Sequence, residues 1–153
     1  MYCIKYTQKL PISLEKSWDF FAEPSNLQVI SPQHLRFETM NEEGNCKMFA
    51  GQIICHRIRP ILHIPLNWVT EITHVDAPYF FVDEQRFGPF RFWHHQHIFK
   101  ELDHGVEMTD IVYYKMPLGI VGKAIHSIKV KKDLHDIFRY RADSLERIFG
   151  KYS

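Results

Sequence analysis

The chain has 153 residues, with 19 basic and 18 acidic side chains and a formal net charge of +1, so no global field draws in a polyanion and nucleic acid is excluded as an expected partner. Its length fits one domain over residues 1–153, large enough to bury roughly 70% of its unfolded surface without the help of a metal or disulfide. Apolar residues reach 45%, with 12 Phe, 7 Tyr and 3 Trp, which supplies bulk for a core or a lined cavity.

Residues 2–10 alternate, with Tyr2, Ile4 and Tyr6 set against Cys3, Lys5 and Thr7, and predict a first strand. Pro11 ends it, and Ser13 caps a helix over 14–22 that turns Trp18, Phe21 and Ala22 to one side. Pro24 opens a second short helix over 24–30, and Pro32 stops it. Residues 34–41 then read as a strand carrying Leu35, Phe37 and Thr39 on one face, and 41–45 as a turn around Gly44.

A long strand is expected over 47–58, with Ile54, His56 and Ile58 on one face and Ile53, Cys55 and Arg57 on the other. Pro60 and Pro65 bracket a connection or a kinked strand edge. Strands follow over 66–75, 79–87, 91–102 and 106–116, separated by turns at Asp76–Pro78, Gly88–Pro89 and Asp103–Gly105. After Pro117, Gly119 and Gly122, residues 123–149 contain neither Pro nor Gly, and Gly150 is a natural stop. Val130, Leu134, Ile137, Phe138, Ala142, Leu145, Ile148 and Phe149 form one apolar stripe at helical spacing. Such a helix, about 40 Å long, must cross a sheet to bury its stripe. The expected architecture is α+β: a curved antiparallel sheet of about seven strands, two short helices after the first strand, and a long C-terminal helix.

Several strings together, spanning nearly the whole chain, resemble the START/SRPBCC superfamily. They are Trp18-Asp-Phe-Phe with Pro24-Ser-Asn-Leu and Ile30-Ser-Pro, then Ile64-Pro-Leu-Asn-Trp68, and Phe81-Val-Asp-Glu-Gln85 with Gly88-Pro-Phe90. Trp93-His-His-Gln-His97 with Phe99, and Thr109-Asp110 with Tyr114 and Pro117-Leu-Gly119, complete the set. The likeness is greatest to bacterial ligand-binding members labelled cyclase-like. The resemblance implies a helix-grip fold with a pocket beneath the helix. It does not imply one reaction, since this fold hosts binders and enzymes alike.

Strand parity places Asp83, Gln85, His95, His97 and Asp110 on the face that carries Trp68, Trp93, Val112 and Tyr114. Three readings stay open for this polar cluster: a proton-transfer pair, a satisfied buried network that fixes register, or anchors that orient a ligand. No catalytic residue is assigned. The candidates are His95 or His97 as base and Asp83 or Asp110 as orienter. The expected ligand contacts are Phe37, His56, Trp68, Phe81, Asp83, Gln85, Trp93, His95, His97, Asp110 and Tyr114, with Leu134 and Phe138 as a lid.

His95 and His97 share a face and could chelate with Asp83 or Asp110, but the resembled family does not generally use a metal, and neither metal nor cofactor is expected. GxSxG is absent, and Gly44-Asn-Cys46-Lys lacks phosphate-cradle spacing. Arg141 lies at the edge of the stripe, where reaching solvent is favoured over pairing with Asp83 or Asp110. Lys129, Lys131 and Lys132 read as a solvated helix face.

Cys3, Cys46 and Cys55, an odd count at unrelated spacings, predict free thiols in a reducing compartment. No stretch reaches about 18 apolar residues and the N-terminus has no apolar signal core, so a cytoplasmic chain with no integral membrane segment is expected. The functional expectation is a carrier or sensor of a small, largely hydrophobic molecule, monomeric or a weak homodimer. The alternative is a cyclase or dehydratase acting on a polyketide-like or aromatic substrate.

Overall fold

The computed structural model describes residues 1–40, 47–61, 64–117 and 129–153. β1 (Tyr2–Leu10) leads into helices α1 (Leu14–Phe21) and α2 (Asn26–Val29), then a 3-10 turn at Gln33–Leu35. β2 (Glu38–Thr39), β3 (Ile53–Ile61), β4 (Ile64–Asp76), β5 (Phe80–Phe87), β6 (Phe92–Leu102) and β7 (Gly105–Lys115) follow, and α3 (Lys131–Phe149) ends the fold. The strands form one antiparallel sheet in the order β1-β7-β6-β5-β4-β3-β2. Strands β2 to β7 meander as neighbours, while β1 joins outside β7, so α1 and α2 carry the chain from one sheet edge to the other.

Local chemistry explains these elements. Along β1, Lys5, Thr7 and Lys9 are exposed and the residues between them are half-buried, the period of a strand with one wet face. The Ser13 hydroxyl accepts from the Lys16 amide at 3.2 Å and caps α1. Strands β1 and β7 pair without a slip, from Tyr2 opposite Tyr114 to Leu10 opposite Val106. This close pairing depends on Gly105: a Cβ there would collide with the Leu10 carbonyl. At the other end of the chain Gly150, at φ +94°, terminates α3 and donates its amide to the Glu146 carbonyl at 2.9 Å.

Two expectations change. The strand expected over 34–41 is cut short among the described residues: Leu35 closes a 3-10 turn, Arg36 takes a left-handed conformation at φ +43°, and pairing with β3 starts only at Glu38 and Thr39. The expected strand over 47–58 begins later, at Ile53, because Gly51 adopts φ +94° and reverses the backbone. Pro60 and Pro65 fall inside β3 and β4 next to a register shift between Ile58 and Ile61, the kinked-edge alternative. The described part of helix α3, Lys131–Phe149, has 19 residues and lies within the expected 123–149. Gly119, Gly122 and the expected first turns at 123–128 lie outside the described residues, as do Gly44 and Cys46.

Helix α3 turns Leu134, Phe138, Arg141, Ser144 and Leu145 inward. It is tied along β1, where the Gln8 amide donates to the Ala142 carbonyl at 2.9 Å and the Tyr6 ring stacks on Phe138 at 4.6 Å. The packed interior has two parts. One gathers Leu10, Leu14, Phe81, Phe99 and Leu145, with Trp18 against Phe81 and Phe99. The other gathers Trp93, Val112, Tyr114, Leu134 and Phe138. On β6 the alternating residues Trp93, His95, His97 and Phe99 are all buried, so the two histidines sit on the inner face between the two apolar clusters.

Candidate functional site: a hollow with a histidine–aspartate wall

The sheet and α3 do not meet everywhere. Between them lies a cavity of about 1050 Å³. Its floor is the inner face of the sheet: Ile54, His56 and Ile58 from β3, Trp68, Thr70 and Ile72 from β4, Phe81 and Asp83 from β5, and Trp93, His95 and His97 from β6. Phe37 closes one side and stands 4.8 Å from the His56 ring. Leu134 and Phe138 of α3 form the cover. Ten of the thirteen expected contacts therefore lie on the wall.

Three do not. Gln85 turns to its own hairpin, where its amide nitrogen donates to the Phe90 carbonyl at 2.6 Å and its amide oxygen accepts from the Phe90 amide at 3.2 Å. A Cβ at Gly88 would strike that amide, so glycine and glutamine form one turn. Tyr114 is buried within an aromatic group with Phe90 and Trp93. Asp110, 2% exposed, stands behind the histidines rather than on the wall.

The histidines and aspartates interlock across three strands. Register sets Asp83 opposite His95 and His97 opposite Asp110. The Nε2 of His95 is 2.8 Å from Oδ1 of Asp110, and its Nδ1 is 3.2 Å from Oδ2 of Asp83. The Nε2 of His97 is 2.8 Å from the same Asp83 oxygen. The remaining nitrogen, His97 Nδ1, lies 2.9 Å from Asp110 Oδ1 but out of line for a hydrogen bond. The two imidazoles lie 3.8 Å apart, and Phe81 stacks on His97 at 4.0 Å. Each carboxylate thus touches both rings: Asp83 from the cavity side, Asp110 from behind.

Electrostatics follow from this geometry. Burial disfavours charge on His95, but the adjacent Asp83 and Asp110 outweigh it and push its pKa up to about 9. Burial also works against both carboxylates, yet the charge and hydrogen bonds of the histidines hold them well below the usual carboxylate range. His56 has no such partner. Burial lowers it to about 4, against a small opposing pull from Asp83.

Arg141 corrects the expectation of a solvent-directed side chain. It is 8% exposed, lies 5.1 Å over the Phe138 ring, and brings Nη1 to 3.9 Å from Asp110 Oδ1. Its position on the stripe edge was visible, but the depth at which α3 sinks was not. The cavity also takes residues that the sequence reading did not assign to it, among them Phe20, Phe21 and Ile30 of the helical connection. No spacing signal separates an aromatic that lines a hollow from one that fills a core. Ile54 and Ile58 carried a signal, since they share parity with His56.

Cys55 is absent from the wall, as its parity predicts. On the opposite sheet face His94 Nδ1 lies 2.7 Å from Glu84 Oε1, so this histidine turns away from His95 and His97. Lys129 is exposed and pairs with Asp133 at 2.7 Å. Among the described residues no helix is long and apolar enough to cross a membrane.

No protein-family model and no curated protein matches the chain. Solved structures do. One, from Chromobacterium violaceum, aligns at TM-score 0.75 and 9% identity over 99% of this chain and 100% of that one. Another, from Thermus thermophilus, aligns at 0.72 and 14% identity over 95% of each chain. The ginseng major latex-like protein 151 from Panax ginseng aligns at 0.69 and 12% identity over 97% of each. At such identities the likeness is one of fold: the chain is an α+β protein of helix-grip type, a seven-stranded antiparallel sheet with a long C-terminal helix.

Proposed function

We propose that the chain is a single ligand-binding domain that holds a small, largely hydrophobic molecule between the sheet and α3, as a carrier or sensor. The cavity carries this reading. Its volume of about 1050 Å³ is at the upper end of the several hundred to about 1,000 Å³ usual for ligand pockets. Trp68, Phe81, Trp93, Leu134 and Phe138 offer apolar contact, and His95, His97 and Asp83 offer a compact polar patch on one wall. That combination suits a molecule with an apolar body and one oxygen-bearing end. The test is titration with the apolar fluorophore N-phenylnaphthylamine, together with native mass spectrometry of the purified protein. Saturable one-to-one binding, displaced by a co-purified apolar compound, supports the reading, and failure to retain any apolar compound counts against it.

A second reading has one observation of its own. His95 and His97 reach the wall while each keeps a carboxylate at 2.8 Å, an arrangement that fixes ring orientation for proton transfer. On this reading the protein is a cyclase or dehydratase for a polyketide-like or aromatic substrate. It requires turnover that His97→Gln abolishes while apolar binding survives.

A further inference from the structure

The inner wall offers a nitrogen–nitrogen–oxygen donor set of a particular kind. Nδ1 of His95 and Nε2 of His97 both face the same oxygen of Asp83, at 3.2 and 2.8 Å. One donor atom from each residue lies within 4.8 Å of the others. Donors around an ion with metal–ligand bonds of about 2.0–2.2 Å sit roughly 3 Å from one another, so each nitrogen already stands from the Asp83 oxygen at nearly the separation that an ion would impose. Imidazole with carboxylate suits first-row transition ions, whereas magnesium and calcium take all-oxygen shells.

The far side of the His95 ring supports the same conclusion. Metal-bound histidines normally hand their second nitrogen to a carboxylate, which fixes the ring and its tautomer. Asp110 stands in that place for His95, 2.8 Å from its Nε2, and lies 2.9 Å from His97 Nδ1 without a hydrogen bond to it. It comes from a different strand and is buried away from the cavity.

We propose that Asp83, His95 and His97 bind one first-row divalent transition-metal ion at the cavity wall, with Asp110 as the positioning residue behind both rings. The three donors come from one side and the cavity lies on the other, so the ion keeps positions open toward a bound molecule. Its partner there would be an oxygen atom of the ligand, such as a hydroxyl, carbonyl or carboxylate. Only this last step rests on the ligand-binding reading.

The test uses zinc and cobalt alone. Chelator-treated protein is titrated with Zn²⁺ against a chromophoric chelator, and with Co²⁺ while the visible spectrum and proton NMR are recorded. One tight equivalent is expected, with visible bands of imidazole-bound cobalt and hyperfine-shifted ring signals from His95 and His97; Mg²⁺ should produce neither. His97→Gln should remove the tight equivalent, and Asp110→Asn should weaken it by about 10–100-fold. The proposal fails if the wild-type protein binds zinc no more tightly than isolated exposed histidines such as His34 and His104 do. It fails equally if folded His97→Gln keeps the tight equivalent. Should that variant not fold, the wild-type NMR decides, since cobalt shifts confined to other histidines refute the site. Fluorophore binding by the metal-free protein is read separately, so loss of the metal site and loss of the ligand pocket are distinct results.

Discussion

His95 on β6 donates through Nε2 to Asp110 on β7 at 2.8 Å, at a point where both residues are almost wholly buried. Removing one member of such a pair strands the other as an uncompensated charge. His95→Leu, assayed by urea unfolding of metal-free protein, should therefore lose about 3–5 kcal/mol of stability. The double variant His95→Leu with Asp110→Leu should recover part of that loss, because the Asp110 carboxylate is then no longer stranded. A double variant no more stable than the single one would show that Asp110 is not stranded.

The pH dependence of stability has two opposed arms in metal-free protein. His56, depressed to about 4, is protonated first in the unfolded chain, near pH 6.5. Its contribution is complete above that pH and falls away toward pH 4, an arm of about 3 kcal/mol. His95, raised to about 9, holds its proton longer in the folded state. Its contribution is complete below about pH 6.5 and is lost as pH rises through 9. Asp83 and Asp110 are depressed, so their contribution is present above about pH 4 and is lost in stronger acid. Unfolding free energy should peak near pH 6.5. His56→Phe should flatten the acid arm and leave the alkaline arm in place. A profile that climbs from pH 6.5 to 9 would contradict the assignment of His95.

Gln85 should behave as a turn residue. Its amide makes two hydrogen bonds with the backbone of Phe90, and a net contribution of about 1 kcal/mol each is typical. Gln85→Ala should lower stability by about 2 kcal/mol while fluorophore affinity stays unchanged. A selective loss of affinity at unchanged stability would place the amide in the cavity after all.

Much of this arrangement was legible before the structure, for one physical reason. Strand parity is strict, so once residues 91–102 and 106–116 read as strands, His95, His97 and Asp110 had to share a face with Trp93 and Tyr114. Antiparallel neighbours joined by short turns then brought those residues side by side. Parity does not say which neighbour a side chain chooses on that face. Gln85 has the right parity and still bends to the Gly88–Pro89 turn, and Asp110 lies behind the histidines rather than beside them. Backbone reversals at Arg36 and Gly51 were not legible either, since neither residue type demands a positive φ. The depth of Arg141 depends on how closely α3 approaches β1, which no single-sequence pattern records.

Phe138 connects helix and sheet, stacked on Tyr6 at 4.6 Å and facing His95 at 5.9 Å. Phe138→Ala should cost about 3–5 kcal/mol and weaken fluorophore binding, because it removes both packing and the cover of the cavity. Equilibrium unfolding and fluorescence titration on the same preparation separate the two effects.

The most direct measurement concerns the hollow itself. Ile58→Trp, on the β3 wall, adds bulk inside the cavity and leaves the outer surface untouched. Fluorophore titration of wild-type and Ile58→Trp protein, with native folding confirmed by near-ultraviolet circular dichroism, reads the occupancy of that space. One saturable site in the wild type, lost or strongly weakened in the variant, is the predicted result. Equal binding by both, or none by the wild type, would contradict a ligand cavity beneath α3.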